Sequence, residues 1–223
     1  MALDLQGGSL IKRRAQRLGL LVIALAMIAT SACGERVQLP DGILAAQAPA
    51  QWALESPPRS VGEFRLAPRA GYEITAKVLS KRRYHWDDLA AIAPWDFALG
   101  WGALSDEAVL RPIKVAQGDR FMFWHLYDSP IDINLVNRSS ANVHLIPEND
   151  AILGKIENIP KGAIVTLSGE LVDVHFPDQT MIPSSLTRLD TGPGACEILV
   201  VQDVRLVQPA STAIDATPQS NPI

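Results

Sequence analysis

The chain has 223 residues, enough for one domain of ordinary size with flanking segments. Its net charge is −4, from 24 acidic and 20 basic residues. A balance of that sign argues against nucleic acid as the main partner, since phosphate binding wants a basic stripe.

Lys12, Arg13, Arg14 and Arg17 precede an uncharged apolar run over 18–30 (LGLLVIALAMIAT), and Ser31, Ala32 and Cys33 follow. Positive charge, a short apolar core and a small-residue cleavage site are the layout of an export signal. As a helix this core reaches about 20 Å, short of the roughly 20 apolar residues that cross a bilayer. An export signal over 1–32 is therefore expected, with an uncleaved N-terminal anchor as the rival. The segment Thr30-Ser31-Ala32-Cys33 resembles a bacterial lipobox, with Thr30 where Leu is usual. That resemblance implies lipidation of Cys33 and a cell-envelope lipoprotein facing the periplasm. Plain secretion into the periplasm is the alternative. Lipidation consumes the Cys33 thiol, whereas secretion leaves it available to pair with Cys196, the second cysteine. Loss of residues 1–32 leaves 16 basic and 23 acidic residues, a net charge of −7.

Residues 33–70 are rich in Ala, Pro and Gln without a sustained period. They read as a tether with a reach of about 30–35 Å. Residues 71–208 form the expected single β-rich domain, and 209–223 (PASTAIDATPQSNPI after Gln208) read as a disordered tail. Within the domain, 72–79 (YEITAKVL) alternates, with Tyr72, Ile74, Ala76 and Val78 on one face of a strand. Asp87 is a plausible N-cap for a short helix to Ala93. Residues 94–99 (PWDFAL) read as a second short helical turn ended by Gly100 and Gly102. Strands are expected over 111–116, 120–127, 131–136 and 141–146. Asn149 or Asp150 caps a helix carrying Ile152, Leu153 and Ile156, closing near Pro160. Strands resume over 163–167 and 170–176, with Gly169 as a bend or bulge, and over 195–207. The order predicts a mainly β, α+β fold with one or two short helices. A small β-barrel of OB-like kind is favoured, with a two-layer α+β sandwich as the alternative.

None of the four histidines lies in an HxH or HExxH spacing, and no CxxC pair exists; no metal site or cofactor is expected. Asn142 and His144 lie two residues apart, on the same face of a strand, and are candidate ligand contacts. Trp86, Trp95 and Trp101 fall near Asp87, Asp88 and Asp96. Such rings with adjacent carboxylates can form a binding surface, or they can plug the end of a barrel. In the 184–196 loop (SSLTRLDTGPGAC), Arg188 and Asp190 can pair across a tight turn. Cys196 shares a strand face with Ile198 and Val200, which suggests a buried, inert thiol.

The stretches PWDFALGWG, SANVHLIPEND and SLTRLDTGPGACEI resemble an uncharacterised family of bacterial exported proteins and lipoproteins. The resemblance covers most of residues 72–206. It implies no activity and carries over no catalytic residue. The expectation is a non-catalytic envelope module that binds an envelope protein or small ligand, touching the membrane through a lipidated N-terminus. The alternative is a periplasmic hydrolase using His144 with partners from the 184–190 loop.

Overall fold

The computed structural model describes residues 36–127, 131–188, 190 and 192–207. The expected export signal, Cys33 and the expected tail lie outside them. Two short strands, β1 (Ala50–Trp52) and β2 (Arg59–Val61), pair antiparallel with the long β3 (Phe64–Arg83). β3 pairs with β4 (Trp95–Gly100). A separate hairpin of β5 (Ile113–Gly118) and β6 (Phe121–Leu126) follows. β4 continues to β7 (Ser140–Pro147), which runs parallel to β10 (Glu197–Val207). Between β7 and β10 in the chain come β8 (Ile164–His175) and the two-residue β9 (Met181–Ile182), which pairs with β8. β8 pairs with both β10 and β3, so the strands close a ring in the order β3-β4-β7-β10-β8. The molecule is mainly β, with short helices α1 (Glu107–Leu110), α2 (Ile133–Arg138) and α3 (Asp150–Asn158).

Alternation builds the interior. Tyr72, Ile74, Ala76 and Val78 of β3 turn inward, as their spacing predicts, and join Phe97, Leu99, Val143, Leu145, Val165, Leu167, Leu199 and Val201. Ile152 and Ile156 of α3 pack into the same core. Asn149 starts that helix, its side chain accepting from the Ile152 amide at 3.0 Å. At Gly169 the β8 and β10 backbones come so close that a Cβ would lie 1.9 Å from the Val200 carbonyl oxygen. A bulge in β10, between Val201 and Asp203, sits at this point.

The hairpin packs on the outside of the ring. Its Ile113, Val115, Met122, Trp124 and Leu126 meet Leu79 and Ala98, with Leu104, Leu110 and Val136 filling in. Its turn is two residues, Asp119 and Arg120, both at positive φ (49° and 67°). This is the backbone handedness that a tight hairpin requires.

Three local expectations are corrected. Residues 95–100 form a strand, not a helical turn. β4 is central and mostly buried, so it reads as an apolar run without alternation. Residues 133–138 form a helix, because Asp132 caps it through the Asn134 amide at 2.9 Å. The stretch expected as a tether is bound to the ring from residue 36 onward. The Val37 amide donates to the Lys161 carbonyl (2.8 Å), Gly102 donates to the Ala45 carbonyl (2.8 Å), and Ala45 is buried. Its Ala-rich sequence hides these contacts because they are backbone hydrogen bonds.

Candidate functional site

The outward faces of β4 and β7 carry a buried polar cluster. Asp96 lies opposite His144, and Ala98 opposite Asn142. On the other side of β7, Ile198 of β10 lies opposite His144 in parallel register. Asn142 and His144 do share a face, and both are buried. The turn of the β5–β6 hairpin covers Asn142, and the hairpin turn together with Pro183, Pro193 and Cys196 surrounds His144.

Arg120 at that turn is the centre of the arrangement. Its Nη1 donates to Asp96 Oδ1 at 2.6 Å and to the Ala93 carbonyl at 3.0 Å. Its Nη2 donates to Asp87 Oδ1 at 2.6 Å. The guanidinium lies 4.0 Å from the centroid of the Tyr84 ring, and the Arg120 amide donates to the Tyr84 hydroxyl at 3.1 Å. The Arg120 carbonyl accepts from Asn142 Nδ2 at 2.9 Å. Asn142 Oδ1 accepts from Gln117 Nε2 at 2.8 Å. Side chain and backbone of one hairpin are thereby bonded to two ring strands.

Asp96 is fully buried and serves two cations. His144 Nδ1 stands 2.9 Å from Asp96 Oδ1, the same oxygen that Arg120 uses. The contact is an ion pair whose direction departs from that of a well-aligned hydrogen bond. Burial by itself lowers the His144 pKa, but the Asp96 carboxylate and the adjacent Cys196 sulfur outweigh it and raise it to about 9. His144 is thus an imidazolium at neutral pH.

Cys196 completes the cluster as a half-buried free thiol. Its Sγ lies 3.6 Å from the Arg120 carbonyl oxygen and 3.7 Å from Asn142 Nδ2. Two small clefts of about 160 Å³ each open beside it. One is lined by His144, Pro183 and Pro193, the other by Asn142, Trp124 and Asp190.

The three tryptophans do not converge. Trp86 is 97 % exposed, Trp101 is buried in the ring core, and Trp95 sits half-buried with Lys81 Nζ 4.5 Å over its ring. In the 184–190 loop the hydroxyls hold the loop itself. Ser184 Oγ accepts from the Ile198 amide at 3.0 Å, and Ser185 Oγ bonds Asp190 Oδ2 at 2.7 Å. Arg188 pairs with the buried Glu197 rather than with Asp190. The partners of His144 are Asp96 and Cys196. Among the described residues no three His, Cys, Asp or Glu side chains are grouped so as to hold a metal ion.

Arg120 is the residue at the centre of the cluster that sequence reading missed. A signal existed at its partner: Asp96 is a lone carboxylate inside an apolar run, and a buried carboxylate demands a cation.

No family model matches this chain, and neither a curated protein nor a solved structure does.

Proposed function

We propose that the chain is a non-catalytic, exported cell-envelope module, anchored through a lipidated Cys33, that binds an envelope protein or small ligand. The observation that carries the non-catalytic reading is that Arg120, Asp96 and Asn142 are engaged with one another and with the hairpin backbone. Arg120 meets two carboxylates, Asp96 meets two cations, and Asn142 is bonded at both ends of its amide. Groups engaged in this way fix geometry and leave little capacity for substrate. The product of the cluster is a hairpin held against a ring. The ring order supports an OB-like module: a three-strand meander, a helix, then two strands that close it. Folds of that kind carry ligands on strand faces and the loops beside them.

Anchoring is tested by fractionation with labelled palmitate. The wild-type chain takes up label and sediments with membranes, and Cys33→Ser takes up none and is released. Label-free wild-type protein in the periplasmic extract would refute the anchor.

The hydrolase reading keeps one specific support. Cys196 and His144 line the same cleft with Asp96 behind the imidazole, a nucleophile–base–carboxylate order. Its partners are not those expected from the 184–190 loop. Alkylation by iodoacetamide at pH 6 discriminates. A thiol that reacts no faster than free cysteine supports the non-catalytic module; one that reacts tenfold faster, and slows in His144→Gln, favours the hydrolase.

A further inference from the structure

A second cleft, of about 520 Å³, lies between β3, the hairpin and the first described residues of the chain, and shares no lining residue with those beside Cys196. Its volume is within the range of small-molecule sites, about 300–1,000 Å³. Its apolar lining comes from Leu79, Leu110, Ile113 and Val115. Its cationic lining comes from Arg36, Lys77, Lys114 and Lys161, with His125 beside them.

Among the described residues these cations outnumber their carboxylate partners. Glu107 alone serves two of them, at 2.8 Å from Lys77 Nζ and 2.9 Å from Arg36 Nη2. Lys77 is sealed, whereas the other cations are not. Lys114 Nζ stands 5.4 Å from the Tyr127 ring centroid, and among the described residues neither Lys114 nor Lys161 has a carboxylate partner. Burial, and then the neighbouring Arg36 cation, hold Lys161 below the usual amine range. Like charges are kept together by backbone: the Val37 amide donates to the Lys161 carbonyl. Gly162 at φ +89° permits that approach, since a Cβ there would fall 2.2 Å from the Val37 carbonyl oxygen. Cations grouped beside an apolar wall, with Glu107 as the carboxylate partner of Arg36 and Lys77, suit an anionic group.

We propose that this cleft binds a small anionic amphiphile, with an oxyanion head on Lys114, Lys161 and Arg36 and an apolar body against β3 and β5. The fork of Arg36 and the point charges of the two lysines suit phosphate or carboxylate oxygens. The site is independent of whether Cys33 is lipidated. A membrane lipid and a free alkyl phosphate would present the same chemistry.

Calorimetric titration of the mature protein with hexyl phosphate tests the site, with inorganic phosphate as the head-only probe. Hexyl phosphate is expected to bind at least tenfold more tightly than inorganic phosphate, and to weaken with added salt. Lys114→Ala and Lys161→Ala should each reduce its affinity about tenfold, and Lys155→Ala should leave it unchanged. Thermal unfolding of each variant shows that the fold is retained, and Lys114→Gln and Lys161→Gln replace any that is not. Absence of hexyl phosphate binding would overturn the proposal, as would equal affinity for inorganic phosphate or undiminished affinity in the double variant. Competition with phosphatidylcholine vesicles containing phosphatidylglycerol identifies the source. Displacement supports a membrane lipid, and displacement only by soluble alkyl phosphates supports a free amphiphile.

Discussion

Arg120 couples two parts of the molecule that the chain keeps far apart. Its side chain is largely buried and faces the fully buried Asp96. Removing one partner of a buried pair costs up to about 3–5 kcal/mol, and His144, 2.9 Å from the same Asp96 oxygen, keeps the carboxylate from being left alone. Arg120→Ala should therefore lower the unfolding free energy by no more than that amount in a urea titration. Arg120→Lys should recover less than half, because a single ammonium cannot reach Asp96, Asp87 and the Ala93 carbonyl together. Two other residues set the pH response. His144 has its folded pKa raised to about 9. It stabilises the fold fully below its unfolded value of about 6.5, and that contribution is lost as pH rises through about 9. Glu197, raised to about 7 by burial against the opposing pull of Arg188, acts in the same sense. Its contribution is full below about 4.3 and is lost as pH rises through about 7. Stability should fall between pH 5 and pH 9 in denaturant titrations, and His144→Gln should flatten the upper part of that decline. An increase over this interval would contradict the assignment.

At the scale of elements, the chain declares those whose partners are local. The inward row Tyr72, Ile74, Ala76 and Val78 is legible because alternation is a property of the strand itself. The cap at Asn149 is legible because the capped amide is three residues away. β4 is not legible: burial by the strands and packing on either side erases its alternation, and Pro94 suggests a helix start. Nor is the sealing of Asn142 and His144 legible. Their pairing on one face follows from spacing, but the cover over Asn142 is a hairpin turn more than 20 residues earlier in the chain, and His144 is also surrounded by Pro183, Pro193 and Cys196 from later in it. A bend or bulge is expected at Gly169, but β8 runs unbroken through it and the bulge lies opposite, between Val201 and Asp203 of β10. Gly169→Ala should destabilise the fold by about 1–3 kcal/mol, read as a lowered melting temperature, because the Val200 carbonyl occupies the space a methyl group needs.

Among the described residues, the five ring strands close on one another. The five-strand ring removes most open edges, and the hairpin covers part of its outer face. Residues 36–52 are spent on contacts with the ring, through Val37, Ala45 and β1. The reach expected of a 33–70 tether is not available to it. The cationic cleft lies beside the first described residue, Arg36.

A hairpin commonly loosens first at its tip, where the chain reverses. Here the tip is locked: the Arg120 amide, carbonyl and guanidinium are all engaged with the ring. Exchange of amide hydrogens for deuterium should reverse the usual order, with the bend outlasting the open end of β5 and β6.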